Sequence, residues 1–287
     1  MSYSNHVLQN ASNRTWEHMS TAPFTSDTIS AMYNLLCMAK PIVFELRRVS
    51  KSYRNGRKEK TVLSDVTLEI SKGDALAIVG ESGSGKTTLA QILCGLIEPT
   101  SGAISFNGTT SNLARAIRGQ VQLILQDPRD SFDPRWTIGK SILEPLQERH
   151  APEEREKLLL EAVRQVDLPI QVCSRLPKEL SGGQLQRASI ARALLTGPQV
   201  VVADEPLSSL DLISKAQIVE LIRSNVVSKG STLVLVSHDL SAVRTLTKHI
   251  AVLWKGELVE YGDTDYVFEN PSHHYTKKLL KSTNVQR

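Results

Sequence analysis

The chain has 287 residues, 40% apolar and 22% charged, with a net charge of +4 at pH 7. That is an ordinary globular balance with enough chain for one large domain or two lobes, and the small positive charge singles out no anionic partner. No window approaches the roughly 18 to 20 uninterrupted apolar residues of a spanning helix, and no basic-then-apolar leader opens the chain, so the protein is expected to stay in the compartment where it is made. The three cysteines, Cys37, Cys94 and Cys173, lie far apart without C-x-x-C spacing, so neither a disulfide framework nor a zinc site is indicated and reduced thiols are expected.

Residues 1–40 are rich in Ser, Thr and Asn, carry no sustained period, and give way abruptly to a strand-like alternation at Ile42. They read as a disordered extension, or as the product of a start assigned too far upstream, since Met38-Ala39-Lys40-Pro41 directly precedes the first strand; a short docking tail is the alternative. Strands are expected over residues 42–49, 62–70, 75–79 and 103–106. The turn Ser71-Lys72-Gly73-Asp74 reads as a hairpin connection into the strand at 75–79. Tyr53, in an expected loop over residues 51–55, either offers a ring face on which adenine can stack or is simply an exposed tyrosine.

Gly80-Glu81-Ser82-Gly83-Ser84-Gly85-Lys86-Thr87-Thr88 satisfies the phosphate-loop pattern G-x-x-x-x-G-K-[ST], with an apolar strand before it and a helix-forming run after it. The glycines let backbone N–H groups turn toward phosphate oxygens, the following helix points its positive end at them, and Lys86 adds a full charge. Thr87 would place its hydroxyl on Mg²⁺. Another apolar strand over 121–125 ends at Gln126, from where an amide can reach Mg²⁺ or the attacking water.

Residues 137–195 read as mainly helical, including 153–166 with apolar recurrence at Leu158, Leu159, Ala162, Val163 and Val166. Leu180-Ser181-Gly182-Gly183-Gln184 opens a further helix, and its Ser-Gly-Gly start is a second anion-binding helix end or merely a good cap. The apolar run at 200–203 delivers Asp204 and Glu205 to a strand end. Asp204 suits Mg²⁺ coordination, and Glu205 suits polarising a water for attack on a γ-phosphate. The strand at 232–236 ends at Ser237-His238-Asp239, bringing an imidazole to hydrogen-bond the γ-phosphate or to hold that water and Glu205 in place. Strands at 250–254 and 257–260 are joined by Lys255-Gly256, and the chain closes on Pro271-Ser272-His273-His274-Tyr275-Thr276 and a basic, helix-like tail. His273 and His274 are adjacent and lack the i, i+4 spacing of helix-borne metal ligands.

The set from Gly80 to Thr88, Gln126, the run from Leu180 to Arg187, Asp204-Glu205, Ser209-Leu210-Asp211 and His238 resembles the nucleotide-binding subunits of ABC transporters over about residues 42–270. The resemblance implies an α/β fold: a RecA-like P-loop NTPase core with an antiparallel β subdomain and a helical signature subdomain at about 127–180, the ATPase domain spanning 41–270 and a short tail 271–287. It implies ATP and Mg²⁺ as cofactors. Ser181, Gly182, Gly183 and Gln184 would contact the γ-phosphate bound by the opposite subunit. Tyr53 would stack on adenine, Gln126 would serve magnesium and permease coupling, and Asp211 would make a contact across the dimer. The implied partners are a second ATPase subunit, identical or paralogous, two transmembrane permeases and, indirectly, an extracytoplasmic binding protein, with no nucleic acid and a peripheral place on the cytoplasmic face of the membrane.

A narrower likeness rests on Gln126-Asp127-Pro128, Ser131, Pro134, Thr137-Ile138, Glu144-Pro145-Leu146 and the tail from Pro271 to Thr276, which are similar to the peptide and nickel importer subfamily. That implies an ATP-hydrolysing importer subunit for a peptide, nickel or a metal chelate. A soluble ABC-like component of phosphonate breakdown shares even the tail and stands as the alternative. DNA-repair and chromosome-type relatives carry a coiled coil or zinc modules, and this chain has neither a heptad run nor a cysteine cluster.

Overall fold

The computed structural model describes residues 40–56, 58–146, 151–208 and 210–282; the expected extension before Lys40, together with Ser209 and residues 283–287, lies outside them. Among the described residues the strands are β1 (Ile42–Asn55), β2 (Lys58–Ser71), β3 (Ala75–Val79), β4 (Ser101–Phe106), β5 (Val121–Ile124), β6 (Val200–Asp204), β7 (Thr232–Val236), β8 (His249–Trp254) and β9 (Glu257–Asp263). The α-helices are α1 (Lys86–Leu93), α2 (Leu113–Ile117), α3 (Ile138–Leu143), α4 (Pro152–Gln165), α5 (Gly182–Leu194), α6 (Leu212–Ile222), α7 (Leu240–Leu246), α8 (Thr264–Glu269) and α9 (His274–Ser282).

Two sheets form. One is three-stranded and antiparallel in the order β2-β1-β4; the other has the order β5-β6-β7-β3-β8-β9, parallel except for the antiparallel edge strand β9. Two expectations are corrected here. The turn 71–74 is no hairpin, because β2 and β3 belong to different sheets and the chain crosses from one to the other there. Tyr53 lies not in a loop but within β1, paired with Lys60 of β2, because the β1–β2 ladder continues to Asn55↔Lys58, well past the apolar part of each strand.

Strands β3, β6 and β7 of the larger sheet are buried on both faces, which explains their unbroken apolar runs. Alternate residues sort to opposite layers, as a period of two requires. Leu76, Ile78, Val200, Val202, Val234 and Val236 pack with Phe44 and Leu46 of the antiparallel sheet and Ile92 and Leu93 of α1. Ala75, Ala77, Val201, Ala203, Leu233 and Leu235 pack on the other side with Leu185, Ala188 and Ile222. The parallel strands therefore all end at one edge, and the polar residues that follow them emerge together.

Between β5 and β6 the chain is helical, and Ile138, Ile142, Val163 and Val166 bury their side chains with Leu185 in the second of those layers. Arg192, near the end of α5, fastens this region. Its guanidinium donates to the Ser131 carbonyl and, at 2.6 Å, to Glu144 Oε2, which accounts for a basic residue on an otherwise apolar helix face. Arg192→Ala should lower stability by about 1–2 kcal/mol, with Arg192→Lys recovering less than half because one ammonium nitrogen cannot take the two separate positions from which the guanidinium nitrogens reach Ser131 and Glu144. Urea denaturation of the two variants measures this.

Candidate active site

The phosphate loop follows β3 and ends at Gly85, the N-cap of α1, whose φ is 104°. Glycine is required for contact as well as for torsion. A Cβ on Gly80 (φ +155°) would lie 2.2 Å from the Leu253 carbonyl oxygen, and one on Gly85 would lie 2.6 Å from Leu63 Cδ2 and 2.8 Å from the Val62 carbonyl oxygen. Gly256, in the β8–β9 turn, donates its N–H to the Ser84 carbonyl at 3.1 Å. Glu81 donates its N–H to the Tyr275 hydroxyl at 2.7 Å. The loop is thus gripped by β2, by the β8–β9 turn and by the tail. None of these braces was legible as functional in sequence, because each is a backbone or hydroxyl contact between distant segments.

Lys86 is only 7% exposed, and its Nζ donates to the carbonyl oxygens of Gly80 and Glu81, both at 2.9 Å. Burial holds its pKa below the ordinary lysine value, while the carboxylates of Glu205, Asp204 and Glu81 pull the other way. The first two of these carboxylates come from the end of β6. Asp204 closes β6, is 5% exposed, and its carboxyl is pushed above the usual aspartate range by burial, against the opposing hydrogen bond with the Thr87 side chain. Its Oδ1 is buried without a hydrogen-bond partner. Such an oxygen beside a threonine hydroxyl suits a hard divalent cation such as Mg²⁺.

Glu205 follows with φ at 49°, the left-handed region that a residue of its type rarely adopts. The backbone is held there because its N–H donates to the Val236 carbonyl of β7 at 2.8 Å. The side chain thereby turns toward His238, whose Nδ1–H donates to Glu205 Oε2. His238 is largely exposed, whereas Glu205 is largely shielded. Gln126 stands two residues beyond the Ile124↔Ala203 pairing of β5 with β6, exposed, at the same sheet edge as Asp204 and Glu205.

Ser181, Gly182, Gly183, Gln184 and Asp211 form a second group. Ser181 caps α5 with its hydroxyl accepting from the Gln184 N–H at 3.3 Å while Gln184 Oε1 accepts from the Ser181 N–H at 3.1 Å. Asp211 caps α6, accepting from the N–H groups of Ile213 and Ser214 and from the Ser214 hydroxyl at 2.6 Å, and these bonds hold its carboxyl below the usual range. The Ser214 side chain borders Gly183, so the two caps are neighbours. Among the described residues no hydrogen bond or ion pair joins this group to the phosphate loop. Tyr53 is 43% exposed, with Lys51 Nζ 5.3 Å from its ring centroid. Its strand neighbour Ser52 pairs with Thr61, one residue before the Val62 that abuts Gly85.

The family model described as ABC transporter matches residues 63–208. A putative peptide import ATP-binding protein of Brucella ovis is 37% identical over 252 residues, covering 85% of this chain and 80% of the relative. The oligopeptide transport ATP-binding protein OppF of Streptococcus pyogenes serotype M1 is 37% identical over 250 residues, covering 84% and 81%. A solved ATP-binding cassette, in a dimeric post-hydrolysis state bound to ADP and Pi, superposes with a TM-score of 0.71 at 31% identity over 77% of this chain and 98% of that one.

Gly80→Ala should cost roughly 2 kcal/mol or more of folding stability, because the new methyl meets a backbone carbonyl in a conformation L-residues resist. Thermal denaturation checks this, and nucleotide binding should fall with it.

Proposed function

The chain belongs to the ABC transporter family and is an ATPase of that family, and from this premise we propose that it is the ATP-hydrolysing subunit of an importer whose cargo is a peptide. The observation that supports the chemistry best is the convergence of the phosphate loop, Lys86, the unpartnered Asp204 oxygen and the Glu205–His238 pair at one sheet edge. ATP phosphates would lie on N–H groups of the loop between Ser82 and Thr88, drawing Lys86 from the two carbonyls where it rests. Tyr53 would meet the adenine from β1. Thr87, Asp204 and Gln126 would hold Mg²⁺, which when bound supplies positive charge against the phosphates. Glu205 would take the proton of the attacking water, and His238, held through Nδ1, would present Nε2 to the γ-phosphate.

Among the described residues no hydrogen bond or ion pair links the signature cap Ser181 to Gln184, or Asp211, to the loop of their own chain. We assign them to the nucleotide of a second ATPase subunit, packed head to tail, where a helix N-terminus would face its γ-phosphate. A groove of about 420 Å³ between β5 and α5, lined by residues including Gln122, Leu125, Ser131 and Pro145, runs beside Gln126 and would receive a permease. Among the described residues no helix is long and apolar enough to cross a membrane, so attachment to the cytoplasmic face would come through such permeases. The peptide cargo rests on what the relatives are named for; nickel transport and the phosphonate alternative have no comparable support.

Glu205→Gln should keep ATP binding within a few-fold while cutting steady-state hydrolysis at least about a hundredfold, and should trap an ATP-bound dimer on size exclusion. Turnover at the wild-type rate in that variant would remove Glu205 as the base. Co-purification of the tagged chain with two multi-spanning membrane proteins tests the importer assignment, and recovery in a soluble complex would count against it.

A further inference from the structure

The tail returns to the catalytic loop in a way that the proposed reaction does not use. After α8 the backbone N–H groups of Ser272 and His273 donate to the Glu260 carboxylate of β9, at 2.6 and 3.1 Å. Trp254, the last residue of β8, packs against His273 and His274 and stacks on Tyr275, with ring centroids 5.7 Å apart and planes 21° from parallel. These contacts press Tyr275 to 6% exposure and leave its hydroxyl 2.7 Å from the Glu81 nitrogen, a contact spanning 194 residues of chain.

The bonded N–H belongs to one particular peptide plane. Gly80 C=O and Glu81 N–H are the two ends of the same peptide unit, and its carbonyl end accepts from Lys86 Nζ at 2.9 Å. One end of the plane faces the lysine and the other faces the tyrosine. Rotation of that plane about the chain axis would break both bonds at once. Gly80 on one side of it has no side chain of its own to resist rotation, so resistance comes from neighbours, the Tyr275 hydroxyl and Lys86 among them.

We propose that Tyr275 is a positioning residue for ATP binding, acting through the Gly80–Glu81 peptide on the path of the phosphate loop, and that residues 271–276 are a strap that sets the shape of that loop before nucleotide arrives. The hydroxyl touches no substrate. It narrows the orientations of the loop in the empty protein, and a loop already shaped for phosphate loses less freedom on binding it. Detaching the strap therefore weakens ATP binding while leaving the water, Glu205 and His238 as they were. The inference rests on the reading of this loop as the ATP site.

Tyr275→Phe keeps the ring stacked on Trp254 and deletes only the hydroxyl. In the full chain, ATP titrated with magnesium by calorimetry and followed by steady-state hydrolysis should show Kd and KM raised about three- to tenfold, the worth of one such bond. The kcat should stay within about twofold, and the thermal midpoint of the nucleotide-free protein within about 2 °C. Glu260→Gln, which loosens the strap without touching loop or ring, should raise KM in the same direction by a smaller factor. Unchanged Kd and KM in Tyr275→Phe, or a loss of kcat and thermal midpoint with affinity intact, would overturn the proposal and leave the ATPase reading standing. Failure of the wild-type chain to bind ATP at all would instead strike that underlying reading.

Discussion

The phosphate loop holds its shape because the space a side chain would need at Gly80 is occupied by the Leu253 carbonyl, and at Gly85 by Val62 and Leu63. A nine-residue polar loop has too few internal bonds to define its own path. Here the path is imposed by close backbone approach from β2 and the β8–β9 turn, together with the Tyr275 bond, so the loop exists only within the assembled sheets. Local glycine freedom permits the conformation; distant chain selects it.

The same sheet sets the electrostatics. Strands β3, β6 and β7 are buried on both faces, so the residues that end them leave an apolar layer abruptly. Asp204 is still within that layer and resists ionisation, and Lys86 is drawn the opposite way, so that each charge depends on the other nearby. Glu205 lies one residue further out. Its left-handed backbone turns the carboxylate toward His238 instead of back into the sheet. Two adjacent acids in sequence thus acquire different surroundings, one suited to a cation and the other to a proton.

The second anion-seeking helix end at Ser181 is complete as a cap, yet among the described residues no hydrogen bond or ion pair joins it to the loop of its own chain. Its neighbour across Ser214 is Asp211, the cap of α6, and the large apolar residues that follow it, Leu212 and Ile213, are 83% and 72% exposed. Exposed leucine and isoleucine beside two helix caps fit a surface that a second ATPase subunit covers, which is how the proposed dimer would complete each site.

Much was legible in the amino-acid sequence because the signals are local. Alternation and apolar runs placed β3 and β7, the glycine-lysine pattern marked the loop, and Ser181 announced the start of α5, since period, propensity and capping depend on residues a few positions apart. Strand extension beyond the apolar stretch was not legible, and so Tyr53 was placed in a loop; pairing with β2 carries β1 through it. The turn at 71–74 looked like a hairpin because turn chemistry says where a chain reverses and nothing of which sheet it joins next. The sequence by itself determined the parts and the chemistry each could perform. Only the tertiary structure decided which strand ends share an edge, which way Glu205 faces, and that Tyr275, 194 residues away, bonds to the phosphate loop, because those outcomes depend on backbone carbonyls and N–H groups that every residue carries and no motif can single out.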